Sequence, residues 1–115
     1  MYVNLLVNSL IENGLVNVHE PSTQQSNKIR YIISKHIDID EVLKKYECVG
    51  LLINNSSIPL EVGRVAYGLI YEDKLDRFTD GVRIHTSTIK EIEQVDALAY
   101  VIKTRNSSYF VVNTN

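Results

Sequence analysis

The chain of 115 residues has one cysteine, no tryptophan, five glycines and two prolines. A single cysteine, Cys48, cannot form a disulfide within the chain and cannot build a cysteine-based zinc site. The three histidines, His19, His36 and His85, lack the i, i+4 spacing that places two ligands on one helical face. No apolar run approaches 18 residues. We therefore expect no metal site, no disulfide and no membrane-spanning helix.

The sequence also lacks an excess of positive charge. Lys and Arg number 12 against 14 Asp and Glu, and the formal net charge is -2. This balance removes the electrostatic basis for binding a nucleic-acid polymer. The first ten residues carry no cation ahead of their apolar positions, so we expect no signal peptide, no membrane partner and a cytoplasmic location. The length fits a single domain, residues 1–115.

Helical spacing dominates the N-terminal half of the chain. Five apolar residues fall at i, i+3, i+4, i+7 and i+8, and Gly14 follows at the position of a left-handed C-cap. These five are Val3, Leu6, Val7, Leu10 and Ile11. The competing prediction is a strand over residues 2–7. Residues 15–19 alternate weakly and predict a short strand.

Two further helices are expected before the first strong strand. Residues 22–27 form either a loop or the capped start of a helix that continues through residues 28–37. Asp38, with Glu41 three residues later, is typical of an N-cap and predicts a short helix that ends near Tyr46. Residues 48–53 form a continuous apolar run of strand length, which indicates a buried strand containing Cys48.

Period-two patterning dominates after Pro59. Residues 64–71 predict a strand with Gly68 as a possible bulge, and residues 79–81 predict a turn. Residues 82–86 alternate cleanly, and residues 89–92 either continue the sheet or form one helical turn. Residues 98–104 and 109–112 predict a hairpin whose loop contains Asn106, a residue that tolerates positive φ. The expected fold class is α+β, with N-terminal helices packed on a mainly antiparallel sheet formed by the C-terminal half.

Catalytic patterns are sparse in the sequence. Asp38 and Asp40 are explained by a helix cap and a solvated first turn rather than by a pair of catalytic carboxylates. The glycines are spread singly, without a phosphate-binding loop, and no nucleophilic triad is visible. We therefore expect a protein that is not an enzyme, with no catalytic residues and no cofactor.

The C-terminal third carries the candidate binding residues. Arg83, His85 and Ser87 project from one side of a predicted strand, and Lys103 and Arg105 from one side of another. If these strands are neighbours, they form a cationic strip. Guanidinium binds phosphate, Asn reads an adenine edge and Tyr offers a stacking face, so the region suits a small anionic ligand that contains a base. The predicted ligand-binding residues are Arg83, His85, Thr86, Ser87, Arg105, Asn106 and Tyr109. The alternative is a solvated sheet face with polar turns.

Residues 80–87 and 103–109 also carry a resemblance to a known group of proteins. Their pattern is similar to the C-terminal part of small phage proteins, among them the Thoeris anti-defence proteins that act as nucleotide sponges. The resemblance covers the C-terminal third. It implies a homo-oligomer in the host cytoplasm that sequesters a cyclic nucleotide immune signal, such as a cyclic ADP-ribose isomer, without cleaving it. It points to Arg83, Thr86, Ser87, Arg105, Asn106 and Tyr109.

Two other functions remain open at the level of sequence. One is a small inhibitor that blocks a host enzyme through an exposed aromatic cluster, for which Tyr67, Tyr71 and Phe78 are the candidates. The other is a small enzyme that cleaves such a nucleotide with His85 as acid or base.

Overall fold

A computed structural model describes residues 3–114, which form three helices and six strands. The helices are α1 (Val3–Glu12), α2 (Thr23–His36) and α3 (Ile39–Lys45). The strands are β1 (Gly50–Asn54), β2 (Tyr67–Tyr71), β3 (Arg83–His85), β4 (Ile89–Asp96), β5 (Ala99–Thr104) and β6 (Ser108–Asn113). The helices precede the sheet along the chain, and the expected α+β class is confirmed.

The first helix ends as its sequence predicts. Gly14 has a φ of 68°, and the Leu15 amide donates to the Leu10 carbonyl at 2.9 Å, which closes a left-handed C-cap. The strand alternative is wrong for residues 3–7, and Tyr2 lies outside the described residues. The strand predicted for residues 15–19 is also wrong. The chain turns there, and Val16 and Val18 pack against the core without pairing with another strand.

Side-chain caps fix the starts of α2 and α3. The Gln25 amide donates to Ser22 Oγ at 3.1 Å, and the Ser22 amide donates to Gln25 Oε1 at 2.9 Å, which is a complete capping box. Residues 22–27 are therefore the capped start of a helix rather than a loop. The Glu41 amide donates to Asp38 Oδ1 at 3.2 Å, so the predicted cap of α3 is confirmed. Within residues 3–114, no helix is long and apolar enough to cross a membrane.

The strands form one sheet in the order β3-β2-β1-β6-β5-β4. β1 and β6 run parallel, and every other neighbouring pair runs antiparallel. The strand predicted over residues 48–53 begins at Gly50, so Cys48 lies just before it. The Cys48 thiol is buried. Residues 89–92 belong to β4 and do not form a helical turn. The predicted hairpin is the antiparallel pair of β5 and β6.

The two edge strands of this sheet follow each other closely in the sequence. β3 and β4 stand at opposite ends of the strand order, although only residues 86–88 separate them in sequence. Strands laid flat at about 4.8 Å spacing would put these edges roughly 24 Å apart. The chain from His85 to Ile89 spans at most about 14 Å when fully extended. The sheet must therefore curl until its edges meet.

Backbone hydrogen bonds show where the curled sheet closes. The Thr86 amide donates to the Ala66 carbonyl at 2.9 Å, and the Ile89 amide donates to the Arg64 carbonyl at 2.8 Å. The Gly63 amide donates back to the Ile89 carbonyl at 2.9 Å. Residues 83–96 thus form one bent strand that pairs with β2 before the bend and with β5 after it. This closure removes most of the exposed sheet edge.

Closure gives the sheet two apolar faces, each with its own core. The outer face packs against the helices, and the inner face packs against itself inside the curl. The outer-face residues include Leu51, Ile53, Leu69, Tyr71 and Phe110. The inner-face residues include Leu52, Ile70, Ile84, Ile102 and Val111. The inner face is therefore buried without a second layer of helices.

Gly68 marks a close backbone approach and not the bulge that the sequence suggested. It pairs in regular register with Ile84, so β2 has no extra residue at this point. A Cβ at Gly68 would lie 2.3 Å from the Ile53 carbonyl oxygen on β1. The strands can approach this closely only because the residue has no side chain.

We predict that Gly68→Ala lowers the free energy of unfolding by about 1–3 kcal/mol, because its methyl group meets backbone that cannot move aside. Gly50→Ala is the matched control, since a Cβ there meets the end of the Ile70 side chain at 2.8 Å, which can rotate. Urea unfolding of both variants measures the difference. An equal or smaller loss for Gly68→Ala would contradict the close packing of β1 and β2.

Candidate functional site

The predicted cationic strip does not form. β3, which carries Arg83, and β5, which carries Lys103, are not neighbours, because β2, β1 and β6 lie between them in the sheet order. Lys103 instead faces Glu91 on β4, with Nζ and Oε2 3.5 Å apart. The condition on which the strip depended, that these strands are neighbours, is not met. Local pattern could not show this, because the pairing of β1 with β6 depends on contacts distant in sequence.

The small polar residues of the predicted site hold the bend between β3 and β4. Thr86 Oγ1 accepts from the Ala66 amide at 3.0 Å and donates to the Ser87 carbonyl at 2.7 Å. Ser87 Oγ donates to Thr104 Oγ1 at 2.8 Å and accepts from the Asn106 amide at 3.2 Å. The Thr86 hydroxyl fastens the bend to Ala66, and the Ser87 hydroxyl fastens it to the β5–β6 hairpin. A ligand would therefore have to compete with structural hydrogen bonds.

Arg105 and Asn106 lie exposed at the tip of that hairpin. The Arg105 amide donates to the Thr88 carbonyl at 2.9 Å, while no partner within residues 3–114 is found for its guanidinium. Asn106 does not adopt positive φ, which among the described non-glycine residues occurs at Glu47, Glu72 and Asp76. The turn between β5 and β6 therefore forms without a positive φ at Asn106.

His85 and Tyr109 lie on different strands, β3 and β6, and have different surroundings. His85 is exposed, with its ring centroid 6.1 Å from that of Tyr67. Tyr109 is buried on the inner face of the sheet, where its hydroxyl accepts from Arg77 Nη2 at 3.2 Å. Tyr109 therefore offers no stacking face at the surface.

A groove of about 580 Å³ lies between the start of α2 and the connection that leads into β3. Arg83 is the one predicted residue that lines it. The other lining residues are Glu20, Pro21, Ser22, Thr23, Ser26, Asn27, Thr79, Asp80, Gly81 and Val82.

The Arg83 guanidinium is held at this groove by neutral groups. Nε donates to the His19 carbonyl at 2.7 Å, and Nη2 donates to Asn55 Oδ1 at 2.7 Å. None of the ion pairs found among residues 3–114 includes Arg83. Burial lowers its pKa, and the nearby Glu20 partly opposes that shift. A half-buried cation without a bonded carboxylate favours the approach of an anion.

The first turn of α2 adds backbone donors to the same groove. The capping box satisfies the Gln25 amide, and the Ser26 amide donates to the Ser22 carbonyl at 2.8 Å. In the described part of the chain, the amides of Thr23 and Gln24 have no acceptor, as expected for the first turn of a helix. The positive end of the helix dipole reinforces these donors, so the turn can accept a negative group.

Gly81 brings the β2–β3 connection against α2 and so forms the floor of the groove. Its φ of 88° favours glycine, and a Cβ there would lie 2.1 Å from Ser26 Oγ. Ser26 Oγ donates to the Asp80 carbonyl at 2.9 Å, which ties the connection to the helix.

The Tyr71 hydroxyl ends beneath this floor. Its oxygen lies 3.4 Å from the position of a Cβ on Gly81, and it has no hydrogen-bond partner although the side chain is fully buried. Burial raises the pKa of Tyr71 to about 12, against a weaker opposing influence of Ser26. The Tyr71 hydroxyl is therefore a buried polar atom without a partner behind the floor of the groove, and Tyr71 is not among the residues that line the groove.

Two carboxylates also line the groove, and they differ in their availability. Asp80 is occupied, because its Oδ2 accepts from Arg30 Nη1 at 2.7 Å and its Oδ1 accepts from the Glu72 amide at 2.8 Å. Glu20 is exposed and makes no ion pair with a residue of the described chain. Glu20 is therefore available to accept hydrogen bonds from the hydroxyl groups of a ligand. Its negative charge also weakens the attraction of the groove for anions.

Sequence reasoning missed most of this groove, although two of its parts left a signal. Residues 22–27 predicted either a loop or the capped start of a helix, and residues 79–81 predicted a turn. The contact between these two parts joins Ser26 to Asp80, which are 54 positions apart in the chain, and no local pattern predicts it. Among residues 3–114, no group of three or more His, Cys, Asp and Glu side chains is arranged to hold a metal ion.

We predict that Tyr71→Phe raises the free energy of unfolding by about 1 kcal/mol, because it removes a buried hydroxyl group that has no partner. Urea unfolding of the ligand-free protein measures this change. Ser26→Ala is the comparison, and we expect it to be destabilising because it breaks the bond to the Asp80 carbonyl. A clear loss of stability in Tyr71→Phe would show that its hydroxyl group is satisfied.

Comparison of the chain with protein-family models, curated proteins and solved structures found no match. Its function is therefore inferred from its own geometry.

Proposed function

We propose that the protein binds a small anionic ligand containing a base, of the cyclic nucleotide type, in the α2 groove and sequesters it without cleavage. The observation that carries this proposal is the Arg83 guanidinium, which is half-buried and has no ion-pair partner among the described residues. The ligand would be an immune signal, and its binding by this protein would keep it from its receptor. The same role is what the resemblance of the C-terminal third to nucleotide sponges implies, and of the residues to which the resemblance points, Arg83 lines this groove.

The chemistry of the groove suits the parts of a nucleotide. Phosphate oxygens can accept from Arg83 and from the amides of Thr23 and Gln24. Pro21 and Val82 supply apolar surface for a base, since Val82 is exposed and lines the groove. The volume of about 580 Å³ falls within the range of small-molecule sites.

The groove favours holding a ligand over cleaving it. Its lining holds no histidine and no cysteine, and His85 lies outside it. Asp80 is already bonded to Arg30 and to a backbone amide, so its carboxylate is a poor general base. Glu20 is the remaining carboxylate, and a single exposed acid gives a phosphodiester little assistance.

We further propose that copies of the chain associate, which stays a prediction. The groove is open on one side, so one domain cannot enclose a nucleotide fully. Leu5 and Ile11 are exposed on the outer side of α1 and offer apolar surface for a second copy.

Inhibition of a host protein is the second candidate function, and one loop favours it. Residues 72–80 present Leu75, 52% exposed, and Phe78, 38% exposed. Asp73 braces this loop by accepting from the amides of Arg77 at 2.7 Å and Phe78 at 3.1 Å. The aromatic cluster expected from the sequence is incomplete, because Tyr71 is fully buried and only Tyr67 and Phe78 reach the surface.

We predict that Arg83→Gln weakens the binding of 3′,5′-cyclic AMP or of a cyclic ADP-ribose isomer roughly ten- to a hundredfold. The reason is the loss of charge-assisted hydrogen bonds worth about 1.5–3 kcal/mol. Arg105→Gln is the matched control, since it removes the same charge from the exposed hairpin and should leave the affinity unchanged. The upward shift of the melting temperature with ligand measures binding.

Recovery of the ligand after denaturation separates sequestration from catalysis. Chromatography should return the ligand chemically unchanged. Loss of binding in Arg105→Gln, but not in Arg83→Gln, would move the site to the hairpin. An altered ligand would show an enzyme and direct attention to His85, and no shift with any nucleotide would favour the protein partner.

A further inference from the structure

The inner face of the curled sheet changes from apolar to polar at one end. Leu52 on β1 and Val111 on β6 are buried on this face. Asn54 and Asn113 follow each of them by two residues, so they continue the same face. The two asparagines are paired in register, with Asn54 Nδ2 and Asn113 Oδ1 3.4 Å apart. Two carboxamides therefore meet where the inner core ends.

A cavity of about 330 Å³ opens above this asparagine pair. The connection between β1 and β2 covers it with Ser57, Pro59 and Leu60, and the sheet supplies Ile92 and Tyr100. Its lining residues include no charged side chain. The cavity is thus a small enclosure with apolar walls and an amide floor, on the opposite face of the sheet from the α2 groove.

We propose that this cavity is a second binding site, for an uncharged planar group with hydrogen-bond donors and acceptors on its edge, namely a nucleobase or an uncharged nucleoside. The proposal is independent of the groove and would stand if the groove bound nothing.

Hydrogen-bonding chemistry supports a base at this position. Asn54 is 2% exposed, and its Oδ1 accepts from the Ser56 amide at 3.2 Å. The long bond from Nδ2 to Asn113 leaves the second Nδ2 hydrogen available to an acceptor. A carboxamide offers both a donor and an acceptor, which matches the edge of a base. The half-buried Tyr100 ring supplies a flat wall for stacking.

Charge and size exclude a larger or ionised ligand. A phosphate in the cavity would lose its hydration without a cation in the lining to replace it. Arg83 cannot supply this cation. It bonds to Asn55, and successive side chains along an extended chain point to opposite sides, so Asn55 faces away from the side of Asn54. A volume of about 330 Å³ is near the lower limit for small-molecule sites, which suits a nucleoside and excludes a dinucleotide.

Adenosine is the probe that tests this site, with AMP as the charged comparison. We expect adenosine to raise the melting temperature of the full chain and to shift the side-chain amide NMR signals of Asn54 and Asn113. AMP should bind there about tenfold more weakly or worse, because its phosphate opposes burial. Adenosine should leave the backbone amide signals of Thr23 and Gln24 unshifted, which separates this site from the groove.

A cavity-filling variant gives the test its control. The chain has no tryptophan, so the fluorescence of Leu60→Trp reports whether its indole enters the cavity. A blue-shifted emission shows that the indole of Leu60→Trp fills the cavity, and this variant should then lose adenosine binding. Val62→Trp on the same connection, at a position 58% exposed and outside the cavity, should keep it.

Four results would overturn the proposal. They are no response to adenosine, equal affinity for AMP, unchanged binding in a cavity-filled Leu60→Trp, and loss of binding in Val62→Trp. If the indole of Leu60→Trp stays in water, Tyr100→Ala decides. Loss of adenosine binding in that variant supports the site, and unchanged affinity overturns it.

Discussion

The bend at residues 86–88 is the constraint on which the rest of the structure depends. It lets one strand pair with β2 before the bend and with β5 after it, so the sheet closes on itself. The hydroxyl groups of Thr86 and Ser87 fasten the bend to Ala66 and Thr104 through hydrogen bonds of 2.8–3.0 Å. Without this closure the inner face would be a sheet of exposed apolar side chains, a surface that promotes aggregation.

Closure also decides which surfaces remain for function. The hydroxyl groups at the bend are occupied in holding the sheet together, and Tyr109 is buried against Arg77. One set of available polar groups lies on the outer side, where the close contact of Gly81 with Ser26 joins the β2–β3 connection to α2. The α2 groove and the asparagine-floored cavity both lie where the regular pairing of the sheet ends.

The local features of the fold could be predicted from the sequence, and the long-range ones could not. Asp38 with Glu41, and Gly14, are signals that act over a few residues, so the start of α3 and the end of α1 were visible in the pattern. Residues 22–27 left a loop and a capped helix start as alternatives. Strand alternation looks the same in a flat sheet and in a closed one, so closure was not visible. Tyr71 was misassigned to the surface because the helices that bury it on the outer face reach it only through tertiary packing. The hydroxyl groups of Thr86 and Ser87 suggested ligand contacts, although closure gives them structural partners. Arg83 was proposed from the alternation of residues 82–86, but Ser26 and Gly81, which line the same groove, come together only through tertiary packing.

Amide NMR of the ¹⁵N-labelled chain, titrated with 3′,5′-cyclic AMP, tests the central claim most directly. If the α2 groove is the anion site, the largest chemical-shift changes fall on the backbone amides of Thr23, Gln24 and Gly81 and on the Arg83 side chain. Changes confined to Arg105, Asn106 and the hairpin that joins β5 to β6, with the first turn of α2 unaffected, would contradict it.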